Sequence, residues 1–216
     1  MIPKLIHYCW FGKGEIPELN KKCIESWAKL QGFKFILWDE SNSPMDEPII
    51  KNLYKKKQWA FISDYVRLHA LKEYGGVYLD TDIEIVRDLS PLLSYPSFIG
   101  LESEGKYNNA VMGATKGHKF VLDCMDYMKK KFEEGEILYS PEVVTSVLGF
   151  SESSEKVKLL PCDYFYPYNP YRADSLKQLM YNDIGENTYA IHHWSDSWKA
   201  SMSIFDYIKR IYKKIK

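Results

Sequence analysis

The sequence predicts an α/β protein built on a mixed, mainly parallel sheet flanked by helices. A short apolar strand, a proline-opened helix and a second apolar strand follow one another between Leu5 and Trp38. That is the spacing of a βαβ unit, and hence of parallel pairing. A helix then passes through a double glycine into another strand between Ser63 and Ile85. The length, 216 residues, suits one domain with a full core.

Lys4 to Phe11 reads as the first strand, running into Gly12-Lys13-Gly14. Pro17 opens a helix through Trp27 and Leu30 that Gly32 closes, and Phe33 to Trp38 is the second strand. Ligands on such sheets gather beyond the carboxyl ends of the strands. Trp10 stands there, where an indole can stack on a nucleobase or simply pack. The Gly-Lys-Gly loop lacks the spacing of a phosphate-binding P-loop. Pro44 and Pro48 lead into a helix whose Lys55, Lys56 and Lys57 form a solvated face.

The chain is organised around Ala60 to Asp82. Ser63 is placed to cap a helix, and Asp64 and Arg67, three apart, share a helix face and can reach one ligand. Gly75 and Gly76 supply the positive φ that ends it. Val77, Leu79, Thr81, Ile83 and Ile85 then alternate with Tyr78, Asp80, Asp82 and Glu84, as along a single strand. Carboxylates at i and i+2 of an extended chain stand about 6.5–7 Å apart. Both can reach one divalent cation, and Mg²⁺ or Mn²⁺ held this way is common in phosphate chemistry. Three acids in five residues also occur on solvent-facing strand edges.

Further on, a strand is expected near Phe98 to Glu102 and a turn plus buried strand at Lys106 to Thr115, with Asn108 and Asn109 as turn residues. A helix follows Gly117-His118, packing Val121, Leu122, Met125 and Met128 inward, with His118 on the polar surface. Pro141 opens the next helix, where Glu142 has either a macrodipole role or a role with an acceptor. Val157 to Pro161 is a strand, and Tyr164 to Tyr171 an aromatic loop suited to sugar faces. An apolar strand beginning at Thr188 delivers His192 and His193. Imidazole can complete an Asp-x-Asp cation site or serve as an ordinary polar group, and neighbours on a strand face opposite ways, so at most one of the two reaches the cation.

The stretch S-D-x-x-R-x-x-A-L-x-x-Y-G-G-V-Y-L-D-T-D, with the opening I-P-K-L-I-H-Y-C-W-F-G, resembles the DXD sugar-nucleotide glycosyltransferases of family 32. That family includes Och1-type mannosyltransferases and bacterial capsule and lipopolysaccharide enzymes, and is related to the clostridial glucosylating toxins. The resemblance implies a GT-A-like, single Rossmann-type domain. It implies a metal-dependent retaining enzyme moving a hexose from a nucleoside-diphosphate sugar, UDP-linked or GDP-mannose, to a glycan or lipid-linked glycan. By the same resemblance Asp80, Asp82 and Arg67 are catalytic. Trp10, Asp64, Arg67, Tyr78, Asp80, Asn109, Ser197, Trp198 and Lys199 bind the donor. Asp80, Asp82 and His192, with His193 as the fallback, hold Mn²⁺ or Mg²⁺. Ser140 stands where the family's G-P-x-x-x-T has glycine.

The implied organisation is one domain at 1–199, its nucleotide-sugar half at 1–86 and its acceptor half and closing loop at 87–199. An amphipathic basic helix follows at 200–216, where Ile204, Ile208, Ile211 and Ile215 oppose Lys209, Arg210, Lys213 and Lys214. It suits core packing or contact with an anionic membrane. With 29 basic and 29 acidic residues, no net field recruits nucleic acid. The start at Met1 lacks a secretory pattern, and no apolar run approaches the roughly 20 residues of a bilayer span. Scattered Cys9, Cys23, Cys124 and Cys162 read as reduced thiols. These features predict a cytoplasmic protein, peripheral at most to the inner membrane face. An aspartyl-phosphate hydrolase would need threonine where Glu84 stands, and a calcium loop needs glycine at its sixth position. A binding module without turnover is the remaining rival.

Overall fold

A computed structural model describes residues 1–171 and 177–195. Its strands are β1 (Leu5–Cys9), β2 (Lys34–Trp38), β3 (Gly76–Leu79), β4 (Ile83–Ile85), β5 (Ser97–Ser103), β6 (Lys106–Ala114), β7 (Lys158–Leu160) and β8 (Ala190–His192). Six form the central sheet in the order β2-β1-β3-β6-β5-β7. The β1–β2, β1–β3 and β5–β7 pairs are parallel, and β3–β6 and β5–β6 are antiparallel. The mixed, mainly parallel α/β sheet expected from the βαβ spacing is therefore present.

Side chains alternate across this sheet and build a core on each face. Tyr78, Ile99 and Met112 point to the face covered by α2 (Pro48–Lys55), α3 (Trp59–Tyr74), α4 (Lys119–Glu133) and α5 (Ser140–Phe150). Val77, Leu79, Phe98 and Val111 point to the other, where Trp27 and Ile83 also pack. Trp27 follows α1 (Glu18–Ser26) in a 3-10 turn and donates its indole N–H to the Ile83 carbonyl at 2.7 Å. Four cysteine thiols are free, three of them buried.

Two expectations change at the centre. Helix α3 starts a turn before Ser63, at Trp59, because nothing between them breaks the backbone. Ser63 thus lies inside the helix and donates to the Trp59 carbonyl at 3.2 Å. The single strand expected from Val77 to Ile85 is broken in two. β3 stops at Leu79, and the Ile83 amide closes a turn onto the Asp80 carbonyl at 3.1 Å. β4 then leaves the sheet to pair antiparallel with β8. Asp-Thr-Asp is turn-forming chemistry, and buried Asn20 ties the turn down by donating to Thr81 Oγ1 at 2.8 Å.

The double glycine is required by space as well as by φ. Gly75 has φ +65°, and a Cβ there would lie 2.5 Å from the Lys116 amide nitrogen. Gly76 has φ +111°, and its Cβ would meet the Leu5 carbonyl at 2.7 Å. This close passage sets the height at which Asp80 emerges from β3.

Asn108 and Asn109 lie within β6, not in a turn. Pairing with β5 jumps from Ile99↔Met112 to Gly100↔Asn108, which leaves Asn109, Ala110 and Val111 outside that ladder. The Tyr166 hydroxyl fills the gap, donating to the Asn108 carbonyl at 2.8 Å and lying 3.4 Å from the Val111 amide. His118 is buried, not surface polar. It caps α4 by accepting from the Phe120 amide.

Candidate active site

Arg67 is the hub of the site. It is 5% exposed and spends its planar fork on three carriers. Nη2 reaches Asp64 Oδ1 at 2.8 Å and Asp80 Oδ1 at 3.1 Å. Nη1 donates to the Asn109 carbonyl at 3.0 Å. The guanidinium lies 4.5 Å over the Tyr78 ring, whose hydroxyl donates to the same Asp80 Oδ1 at 3.0 Å. Burial opposes charge on Arg67, but Asp80, Tyr78 and Asp64 outweigh it and hold the guanidinium firmly cationic. Asp64 accepts the Ser140 amide at 3.1 Å, and Asn109 donates to Ser140 Oγ at 2.6 Å. Burial pushes the Asp64 carboxyl up to about 6 against the pull of Arg67.

The β-turn brings the second carboxylate around. One ligand atom each from Asp80, Asp82 and His192 lies within 4.8 Å of the others, closer than an extended chain would hold the two aspartates. His192 Nε2 sits 3.3 Å from Asp82 Oδ2. Burial would raise the Asp82 pKa, but His192 and the Ser195 amide hold it well below the usual carboxylate range. Burial would lower that of His192, but Asp82 holds it above the ordinary imidazole value. Two carboxylate oxygens and an imidazole nitrogen fit Mn²⁺ or Mg²⁺ chemically. His192 Nδ1 is buried without a hydrogen-bond partner, so the ring is not consumed by other polar contacts.

The chain leaving β8 wraps this cluster. Trp194 takes a left-handed backbone, φ +54°, which lets His193 donate to the Asp82 carbonyl at 3.0 Å and Ser195 to Asp82 Oδ2 at 2.9 Å. The same turn lays the Trp194 indole 4.1 Å from the His192 ring. A bulky residue at positive φ is a strained state, maintained only where its surroundings insist on it. His193 turns away and meets Glu84 at 2.7 Å. The structure thus brings His192, and not His193, to Asp80 and Asp82.

Other expected donor contacts are placed differently. Tyr78 is 1% exposed and Asn109 is fully buried, so both hold Arg67 and Asp80 from within the core instead of lining a surface. Trp10 lies past the carboxyl end of β1, half-buried, its indole donating to the Gly14 carbonyl at 2.6 Å. Glu142 accepts the Tyr139 amide at 3.0 Å, an N-terminal bond that accounts for it. Ser197, Trp198, Lys199 and the helix expected at 200–216 lie outside the described residues. Trp194 is a site residue that no spacing in the sequence singled out, while Ser140, at the glycine position of G-P-x-x-x-T, meets Asp64 and Asn109, and Tyr166, of the aromatic loop, meets His192.

Residues 17–99 match the glycosyltransferase sugar-binding region containing the DXD motif. Over these residues the chain is similar to that sugar-binding region. It is 38% identical over 133 residues to inositol phosphoceramide mannosyltransferase 3 of Schizosaccharomyces pombe, covering 57% of this chain and 36% of that protein. It is 29% identical over 231 residues to inositol phosphoceramide mannosyltransferase 1 of the same yeast, covering 99% of this chain and 68% of that protein. The chain thus spans little more than a third of the first relative's length. Among solved structures, PaToxG glycosyltransferase superposes with a TM-score of 0.56 at 23% identity, over 68% of each chain. The shared architecture is the GT-A fold.

Proposed function

We propose that this chain is a metal-dependent, retaining DXD glycosyltransferase that moves a hexose from a nucleoside-diphosphate sugar to a hydroxyl of a glycan or glycolipid. One observation carries the reading: the turn after β3 gathers Asp80, Asp82 and His192 while Arg67 pins Asp80 from behind. Mn²⁺ or Mg²⁺ held by those three side chains would supply Lewis-acid neutralisation of the departing diphosphate. Arg67, Asp64, Tyr78 and Asn109 preorganise Asp80, so that its free oxygen is aimed before the donor arrives. Trp10, past the end of β1, would meet the base.

We favour front-face attack, with the acceptor proton passing to the departing diphosphate oxygen as the new glycosidic bond forms. A trapped glycosyl–enzyme adduct would overturn that choice. The inositol phosphoceramide mannosyltransferase relatives support mannose among the candidate sugars and a glycolipid head group among the acceptors. Capsule or lipopolysaccharide synthesis is the bacterial setting in keeping with the motif. The basic segment 204–216 would suit such a lipid-linked acceptor by touching an anionic membrane. Free thiols suit a reducing compartment.

The test is a donor screen: purified protein with Mn²⁺ and a panel of UDP-sugars plus GDP-mannose, reading nucleotide release. Release from one donor, abolished by chelation and by Asp82→Asn, supports the reading. Nucleotide binding without release from any donor would favour a module that kept the fold and lost turnover. Neither binding nor release would sink the transferase reading.

A further inference from the structure

Glu102 stands outside the cluster just described, on the acceptor half of the chain. It lies at a second irregularity of the β5–β6 ladder, between Leu101↔Tyr107 and Ser103↔Lys106. Irregularities of this kind re-aim side chains, and they concentrate beside active sites. Here the carboxylate is gripped on both oxygens by amides. Asn108 donates to Oε2 at 2.8 Å and Asn169 to Oε1 at 3.3 Å. Among the described residues Glu102 has no lysine or arginine partner. It is therefore an oriented, half-buried carboxylate with accepting capacity left on each oxygen.

Its surroundings lead back to the reacting end of the sheet. Tyr166 joins the two, its hydroxyl on the Asn108 carbonyl and its ring edge-on to His192 at 5.8 Å. Trp194 stands half-buried beside them, its indole N–H on the Tyr168 carbonyl at 3.1 Å. Tyr171, 58% exposed, meets Trp194 edge-on at 5.8 Å. Aromatic faces beside planar, amide-fixed hydrogen-bonding groups match what a sugar ring offers: an apolar C–H face and a row of hydroxyl donors.

Building on the transferase reading above, we propose that Glu102, fixed by Asn108 and Asn169 and walled by Trp194 and Tyr171, is the acceptor subsite. It takes a vicinal diol of a sugar or cyclitol ring, one hydroxyl on each carboxylate oxygen. The ring lies against the aromatic wall, one layer of side chains from His192. The bond-forming hydroxyl is a third one, directed past Tyr166 toward the cation ligands.

Saturation-transfer NMR with Mg²⁺ present tests this, using methyl α-mannoside, methyl β-galactoside and myo-inositol as probes. Binding of UDP and GDP is measured separately on the same samples. Wild type should bind at least one probe, and Glu102→Gln should bind it about tenfold more weakly, as expected for losing a charge-assisted hydrogen bond, with nucleotide binding unchanged. Tyr171→Ser, a substitution at an exposed rim, should weaken the same probe and decides the matter if Glu102→Gln does not fold. No probe binding by wild type, or equal binding by the folded variants, overturns the subsite. Nucleotide binding that fails while the probe still binds through Glu102 would sink the transferase reading and leave the subsite standing.

Discussion

Arg67 Nη2 and Asp80 Oδ1 lie 3.1 Å apart, and that same carboxylate oxygen also takes the Tyr78 hydroxyl at 3.0 Å. Both protein donors fall on Oδ1, so Asp80 is clamped by one oxygen while the other is left to face a ligand. Arg67 and Tyr78 are buried, whereas the Asp80 side chain is 27% exposed. That division of labour within one side chain underlies the predictions that follow.

Arg67→Met should be severe. It leaves buried Asp64 and part-buried Asp80 without their counter-ion, and breaking one partner of a buried pair costs about 3–5 kcal/mol. Urea denaturation should show the loss. Arg67→Lys should recover part of the stability but not donor turnover, because an ammonium cannot span Asp64, Asp80 and the Asn109 carbonyl at once. Equal donor turnover in Arg67→Lys and wild type would refute the role given to the fork.

Asp82→Asn should abolish cation binding and keep the fold. The amide remains able to accept the Ser195 N–H but offers the cation no charge. Titration of Mn²⁺ by calorimetry should show a strong isotherm for wild type and none for the variant. A wild-type-like isotherm would move the cation elsewhere.

Cation affinity should rise with pH. The folded-state pKa of His192 is raised above 6.5, with Asp82 as the raising partner. The protonated ring therefore stabilises the cation-free fold fully below pH 6.5, and that contribution fades as pH climbs through the folded value. A cation needs the neutral ring, so affinity should fall by about tenfold per pH unit below the His192 pKa. Calorimetry below the His192 pKa, in buffers of different ionisation heat, should find about one proton released per ion. No proton release would remove His192 from the ligand set.

Trp194 should matter through its ring. Trp194→Gly relieves a left-handed backbone worth about 1–2 kcal/mol yet removes the indole that orients His192. Mn²⁺ should then bind about tenfold more weakly, the usual effect of losing an outer partner of a ligand. Trp194→Phe should restore most of it.

Gly75→Ala should destabilise the fold by about 3 kcal/mol, read as a lower urea midpoint. Its Cβ would run into the Lys116 amide at 2.5 Å, with φ at +65°. The main-chain atoms there cannot retreat without dragging β6 away from β3.

Much of the fold was legible because local rules and the global answer agreed. Pro17, the apolar runs of β1 and β2, and the double glycine each say locally what the sheet does globally. The places where they disagreed are those at the site. Alternation from Val77 to Ile85 reads as one strand, since Ile83 and Ile85 are as apolar as Val77 and Leu79. Period two cannot show that Ile83 and Ile85 pack beside Trp27, in a ribbon with β8. Asn109 likewise looks like a turn residue, because nothing in one strand's pattern reveals that its neighbour's ladder skips three residues.

The sequence by itself determined the layered α/β architecture and the helix–glycine–strand unit, through periodicity and the φ freedom of glycine; Asp64, Arg67, Asp80 and Asp82 stood out through the resemblance of their motif. Only the tertiary structure showed how His192, favoured over His193 by the resemblance, meets the acids, that Tyr78 and Asn109 serve from the core, and that Trp194 lies against His192. His192 lies 110 positions beyond Asp82. Their meeting depends on the β4–β8 pairing, a long-range contact set by which apolar surfaces find each other as the chain folds.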